Sequence, residues 1–314
     1  MNKFLCFAAS FCLLFPTLPS LAQQREVCFT IDDLPTVSYS IQRADYQLEI
    51  TQDILSALDQ YRIPAIGFVN ESKLYRNNVL DSNQVKLLRQ WLQRGYELGN
   101  HTFSHLNYHG SSLGEYAEDI IQGEQITGPL VHQHQQTLTY FRHPYLRIGR
   151  TKAHHDSLRH FLEQRQYQEA PVTIDNDDYL FAKAYHNALI DQDSALVQQI
   201  GEEYIRYMED KLLYFELAAE RLEGRAIKHI LLLHANKLNA DCLGKLAAMY
   251  QRHQYKFISL EEALTDPVYR QEITAYGDWG ISWLDRWAMS KGVTDFFKLD
   301  PPTPEHILQL AEQP

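Results

Sequence analysis

Two hydrophobic periods alternate along the chain. Val27-Cys28-Phe29-Thr30-Ile31 is a continuous, mostly apolar run of strand length. Over residues 48–61 the period changes, and Ile54, Leu55, Leu58 and Tyr61 share one helical face until Pro64 stops the pattern. Residues 65–69 predict a second strand. Asp81 or Ser82 can cap a helix carrying Val85, Leu88 and Leu92, which Gly95 ends. Residues 96–99 predict a short strand, and Ser112-Leu113-Gly114-Glu115 has the spacing of a capping box. Strands are then predicted at 138–141, 170–174, 229–233 and 256–258. Helices are predicted over 196–222 and 243–250, with Ser259-Leu260-Glu261-Glu262 capping a last one. Repeated strand–helix units over about 240 residues predict an α/β fold, most economically a (β/α) barrel.

The two ends of the chain depart from this cycle. Lys3 is the only charge before Arg25, and an apolar run over 4–15 is followed by Pro16, Pro19 and the small-residue pattern Ser20-Leu21-Ala22. This predicts a secretory signal peptide at 1–22 and an exported protein, periplasmic or extracellular. The run is shorter than the roughly 20 residues a membrane span needs, and no later stretch is long and apolar enough. After Pro267 the pattern changes again. Trp279, Trp283 and Trp287 crowd into a short segment, with Trp283 and Trp287 four apart on one helical face. We read that face as docking a C-terminal extension, 266–314, onto the barrel; a sugar-stacking platform or lid is the sharper alternative.

Composition narrows the function. A net charge of −11 gives no support to a nucleic-acid partner. Fourteen histidines make a metal or acid–base site worth seeking. Signal cleavage would leave Cys28 and Cys242, either bridged in an oxidising compartment or simply buried as small apolar residues.

Polar residues stand where predicted strands stop: Asp32-Asp33, His101, Arg142, Asp175 and His234. In a barrel the C-terminal strand ends open on one face, so these residues would converge. His101 and His105 are spaced i, i+4, which on a helical turn would point both rings one way. A carboxylate from Asp32 or Asp33 would complete a two-histidine, one-carboxylate set of the catalytic zinc type. The other carboxylate is then free to act as a base. Taken singly, each cluster has a blander reading: Asp32-Asp33 a turn before Pro35, Arg142 a surface charge, His234 a core histidine.

Taken together, the clusters resemble the polysaccharide deacetylase family (NodB-homology domain, carbohydrate esterase family 4). Its T-F-D-D-G-P motif is similar to Thr30-Ile31-Asp32-Asp33-Leu34-Pro35, and H-[ST]-x-x-H matches His101-Thr102-Phe103-Ser104-His105. R-x-P-Y matches Arg142-His143-Pro144-Tyr145. D-x-x-D with a following aromatic matches Asp175-Asn176-Asp177-Asp178-Tyr179, and L-x-L-H matches Leu231-Leu232-Leu233-His234. All five occur in the family's order.

The resemblance implies a distorted (β/α) barrel over 23–265, with a helical insertion at about 181–227, and removal of acetyl groups from amino sugars. It implies Asp33, His101 and His105 as ligands of a divalent metal, typically Zn2+. Asp32 would take a proton from the water that metal activates, and Arg142 would orient Asp32. The metal and the Tyr145 backbone amide would stabilise the oxyanion, His234 would protonate the leaving group, and Asp178 would hold His234 as imidazolium. Tyr145 and Tyr179 would line the substrate pocket. Leu34 replaces the usual Gly and puts loop shape and substrate access in question; Tyr179 replaces the usual Trp.

The leading expectation is a metal-dependent deacetylase acting on an N-acetylated glycan of peptidoglycan or chitin type. An O-acetyl xylan esterase or small-amide hydrolase is the alternative, and a non-catalytic glycan-binding protein is a third reading. The sequence leaves the oligomeric state unknown.

Overall fold

The computed structural model describes residues 24–293 and 295–313. The leader expected at 1–22, with Cys6 and Cys12, lies outside the described residues. The chain runs β1 (Arg25–Val37), α1 (Ala44–Tyr61), β2 (Ile66–Val69), β3 (Tyr75–Arg76), β4 (Val79–Leu80), α2 (Ser82–Gln93), β5 (Glu97–Asn100), α3 (Leu113–Gln122) and α4 (Thr127–Gln133). It continues with β6 (Tyr140–Phe141), α5 (Lys152–Gln164), β7 (Gln168–Glu169), α6 (Asp178–Ile190), α7 (Ser194–Glu223), β8 (Lys228–Asn236) and α8 (Lys237–Arg252). β9 (Tyr255–Phe257), α9 (Leu260–Ala263), α10 (Trp283–Ser290) and α11 (Glu305–Glu312) complete it.

Seven parallel strands form one curled sheet in the order β7-β6-β5-β2-β1-β8, with β9 pairing the start of β1. β1 is buried along nearly its whole length, as a central parallel strand covered on both faces must be. The expected strand at 170–174 is instead irregular. Ala170 N donates to Phe141 O of β6, while Ile174 bridges Leu231 of β8. This short segment therefore joins the two edges of the sheet and distorts the barrel, because it must leave β6 and reach β8 within a few residues.

Strand periodicity places Cys28, Thr30 and Asp32 on one face of β1. Cys28 packs with Ile66, Phe68, Tyr140, Ala170 and Ile230 in a small cluster inside the curl, which Ile258, Leu260 and Ala263 help to fill. Asp32 stands above that apolar plug. The larger core lies between the sheet and its helices and includes Phe29, Ile31, Leu55, Leu58 and Leu243. Cys28 and Cys242 are both buried and unbridged, so the apolar reading of these cysteines holds.

The capping predictions locate helix starts well. Asp81 caps α2 through Asn83 N, Ser112 and Glu115 form the full capping box on α3, and Ser259 caps α9 through Glu262 N. The helical region predicted over 196–222 is one 30-residue helix, α7. No helix among the described residues is long and apolar enough to cross a membrane.

The C-terminal extension is part of the same core. Trp283, Leu284, Trp287 and Ile307 are buried in the cluster that holds Phe29 and Leu243. Trp283 and Trp287 thus dock the extension and offer no free ring to a sugar; burial of those large apolar faces outweighs any platform role.

Candidate active site

The two tandem carboxylates lie in a bulge of β1. Its register shifts between Ile31 and Leu34 against β2 and between Asp32 and Val37 against β8. Within the shift, Asp33 takes a left-handed φ of 68°. That local turn lets consecutive side chains, which a regular strand would send to opposite faces, reach one cavity. Leu34 is fully buried and does not line that cavity. Its side chain fills the space at Gly67, where a Cβ would lie 2.4 Å from Leu34 Cδ2. The bulk at this position is thus accommodated in the core, and access to the site is kept.

His101 and His105 correct the expected geometry: their segment is not a helical turn. Thr102 and His105 both have left-handed φ, 65° and 58°. Asn100 Oδ1 accepts from Thr102 N at 2.7 Å, Asn70 Nδ2 donates to His101 O at 2.6 Å, and Asp119 accepts from Ser104 N. These polar contacts support the irregular backbone and bring the two rings within 4.9 Å of each other.

Asp33, His101 and His105 form a three-ligand cluster whose donor atoms all lie within 4.8 Å of one another. Asp33 Oδ1 is 3.7 Å from Nε2 of each histidine. Such separations are too long for hydrogen bonds, but suit atoms that share a cation at about 2.0–2.2 Å each. Three further features fit a metal. Asp33 Oδ1 is buried without a donor. His101 Nδ1 donates to Arg142 O at 2.8 Å, which leaves the Nε2 lone pair facing the cluster. Burial holds both imidazoles below their usual pKa, so both are neutral donors. Burial opposes ionisation of Asp33, but Lys73, with the positive charge of His234 across the cavity, outweighs it and holds the carboxyl well below the usual range. Lys73 Nζ is 3.4 Å from Asp33 Oδ2 and donates to Asp33 O.

Asp32 sits beside this cluster, with Oδ2 3.8 Å from His101 Nε2 and 3.6 Å from Arg142 Nη1. Burial pushes its carboxyl up to about 6, with Arg142 and His234 pulling the other way. Arg142 is fully buried. Its Nη2 donates to Thr30 Oγ1 at 2.8 Å, and its guanidinium lies 4.8 Å from the Phe68 ring centroid. The surface-charge reading of Arg142 is therefore excluded.

On the other strand, His234 is the register partner of Asp32 across β1 and β8. Its Nδ1 meets Asp178 Oδ1 at 2.6 Å, and its backbone N–H donates to Asp178 Oδ2. Asn239 Nδ2 also donates to Asp178 Oδ2, so the buried carboxylate is firmly held. Burial disfavours the imidazolium, but Asp178 overcomes it and pushes His234 up to about 9. Asp178 opens α6, while Asn176 accepts from its amide and donates to Leu232 O, tying that helix start to β8.

These groups open on a cavity of about 490 Å3 lined by Asp32, Asp33, His101, His105 and His234. Tyr145 and Tyr179 stand at its edge, each about half exposed. Tyr145 and Leu146 adopt left-handed φ of 57° and 51°. Other lining residues were not singled out in the sequence, among them Tyr39, Arg147 and Gly280. His143 also lines the cavity. It occupies the variable position of the third motif, yet its Nε2 meets Glu169 at 2.7 Å. Lys73, beside Asp33, carried no spacing signal at all. His109 does not join the Asp33–His101–His105 group. It is buried against Gly149 N and Asp278.

A family model described as polysaccharide deacetylase matches residues 21–160. A curated relative, the peptidoglycan-N-acetylglucosamine deacetylase of Bacillus cereus, is 29% identical over 102 residues, which is 32% of this chain and 39% of the relative. Among solved structures, the peptidoglycan deacetylase PdaC from Bacillus subtilis aligns with a TM-score of 0.50 at 20% identity, covering 77% of this chain and 93% of that one. A mutant of a CE4 family pseudoenzyme also aligns, with a TM-score of 0.50 at 15% identity over 77% and 68% of the two chains. Over residues 21–160 the chain is similar to the polysaccharide deacetylases, and its curled parallel sheet is the fold of the CE4 deacetylases. Because that fold also occurs in a pseudoenzyme, the side chains in the cavity must carry any argument about activity.

Proposed function

We propose that this chain is an exported, metal-dependent hydrolase that removes acetyl groups from the amino sugars of a peptidoglycan- or chitin-type glycan. One observation carries the reading: the cavity brings together three side chains able to ligate a cation, between an ionisable carboxyl on β1 and a carboxylate-bound imidazole on β8. Export rests on the apolar run at 4–15 and the small-residue pattern ending at Ala22.

Asp33, His101 and His105 would hold the metal, for which Zn2+ is the first candidate given two imidazoles and one carboxylate. When bound, such a cation lowers the pKa of a water toward about 7 and polarises a carbonyl. Asp32 then accepts a proton from the attacking water, and Arg142 orients the carboxylate that does so. The water oxygen bonds to the acetyl carbon while the C–N bond to the sugar breaks. His234 donates its proton to the departing amine, which leaves acetate and a free amino sugar. The Tyr145 amide would donate to the developing oxyanion. Tyr179 and the Tyr145 ring flank the sugar at the cavity edge.

The test is acetate release from N-acetylglucosamine oligomers by the mature protein, after chelation and again after addition of Zn2+. Release that stops on chelation and returns with the metal supports the reading. No release from any N-acetylated glycan, alongside release from acetylated xylan, would move the reading to ester hydrolysis on the same site.

A further inference from the structure

We infer that the C-terminal extension is a working part of this site: it holds the Tyr145–Leu146 backbone in its left-handed conformation and so sets the position of the Tyr145 amide. The effect on turnover rests on the reading above; the conformational claim does not.

Tyr145 and Leu146 are consecutive non-glycine residues at positive φ. Such backbone costs free energy and persists only where its surroundings impose it. The loop itself contributes two weak turns, Leu146 N to His143 O and Arg147 N to Pro144 O, at 3.1 and 3.2 Å. Further restraint comes from residues 278–286, more than a hundred positions away.

Gly280 lines the cavity and packs directly on the loop: a Cβ there would lie 1.8 Å from Tyr145 O. Arg286 is fully buried, and its Nη2 donates to Leu146 O at 2.7 Å and to Trp279 O at 3.3 Å. The same guanidinium lies over Trp283, whose backbone N–H donates to Val172 O at 2.7 Å. The far end of the loop is held as well. Gly149 N donates to His109 Nε2, and His109 Nδ1 donates to Asp278 Oδ1, which also pairs with Arg150.

A buried arginine that bonds a strained carbonyl is poorly explained as a stability device, since an apolar side chain would fill the same space without losing hydration. Its geometry is explained if the backbone it holds must stay in place. Gly280 and Arg286 are accordingly positioning residues.

The test uses the mature protein and two kinds of variant. In Gly280→Ala the Cβ meets a backbone atom that no rotamer change can clear, so the loop must move. Arg286→Met removes the bonds to Leu146 O and Trp279 O while keeping bulk, and Arg286→Lys restores one donor. Amide hydrogen exchange is followed over 143–149, with β1 and β8 as internal references. Turnover, KM and Zn2+ stoichiometry are measured in parallel. The inference expects exchange in 143–149 to rise about tenfold or more in Gly280→Ala and Arg286→Met, with the reference strands unchanged. It expects kcat to fall about 100-fold with KM and Zn2+ binding retained, and Arg286→Lys to recover part of both losses. Unchanged loop exchange in Gly280→Ala would overturn the inference, as would faster exchange with wild-type turnover. If the wild-type protein released no acetate, the functional reading would fail and the exchange data would still decide whether the extension holds the loop.

Discussion

The two sides of the cavity solve one problem in opposite ways. On β1, Asp32 is buried and its cationic partner stands off at 3.6 Å, so burial prevails and the carboxyl is pushed up to about 6. On β8, His234 is also buried, but Asp178 is 2.6 Å away and itself held by Asn239, so the partner prevails and the imidazole is pushed up to about 9. The same desolvation thus raises an acid and is overcome at a base. The result is a pair that, between about 6 and 9, holds an ionised carboxylate opposite a protonated imidazole. Those are the states a proton acceptor and a proton donor need.

The largest way to break this comparison is to remove the acceptor. Asp32→Asn should lower acetate release by about 1,000-fold or more while Zn2+ stoichiometry stays intact. Loss of the metal in that variant would exchange the roles given to Asp32 and Asp33. Removing the donor should cost somewhat less. His234→Ala is expected to bind Zn2+ normally and to lose about 100- to 1,000-fold in kcat; near-normal turnover would take His234 out of the reaction. The smallest change sharpens the acceptor side alone. Thr30→Val deletes the Oγ1 that accepts from Arg142 Nη2 at 2.8 Å and leaves a buried donor without a partner. Turnover should fall about tenfold, and stability by about 1–3 kcal/mol, the cost of an unsatisfied buried polar group. A thermal melt and kcat measured on the same preparation check both, and unchanged kcat would show that Arg142 does not orient Asp32.

Much of this site was legible in the sequence because each polar group follows an apolar run of strand, although β1 and β8 continue past Asp32 and His234. Asp32, His101, Arg142 and His234 follow apolar runs, and parallel strands bring such ends to one face. Capping residues such as Ser112 and Glu115 were legible for a related reason: they act within one turn of their own helix. What the sequence hid was backbone conformation and distant contact. The i, i+4 spacing of His101 and His105 suggested a helical turn, yet Thr102 and His105 reach the left-handed region without a glycine to mark it. The short strands β6 and β7 and the irregular 170–174 segment depend on where the sheet closes, which no local period encodes. Lys73 approaches Asp33 from 40 positions away, and Arg286 approaches Leu146 from 140. Neither residue differs in its own sequence neighbourhood from an ordinary charge on a helix or loop. Trp283 and Trp287 are buried in the core, and nothing in the local sequence marked that Gly280, between Trp279 and Trp283, reaches the cavity.

The most direct measurement is the pH dependence of kcat/KM for acetate release, in the wild-type protein and in Asp178→Asn. His234 has its pKa raised in the folded protein, so it carries its proton below about 9 and loses it as pH rises through that value. Activity should therefore decline on an alkaline limb near 9 in the wild type. Without the Asp178 charge the imidazolium loses its main support. The limb should then move toward acid, into the ordinary histidine range of about 6.5 or below. An alkaline limb that stays in place in Asp178→Asn would contradict the account, because the group titrating there would not be His234.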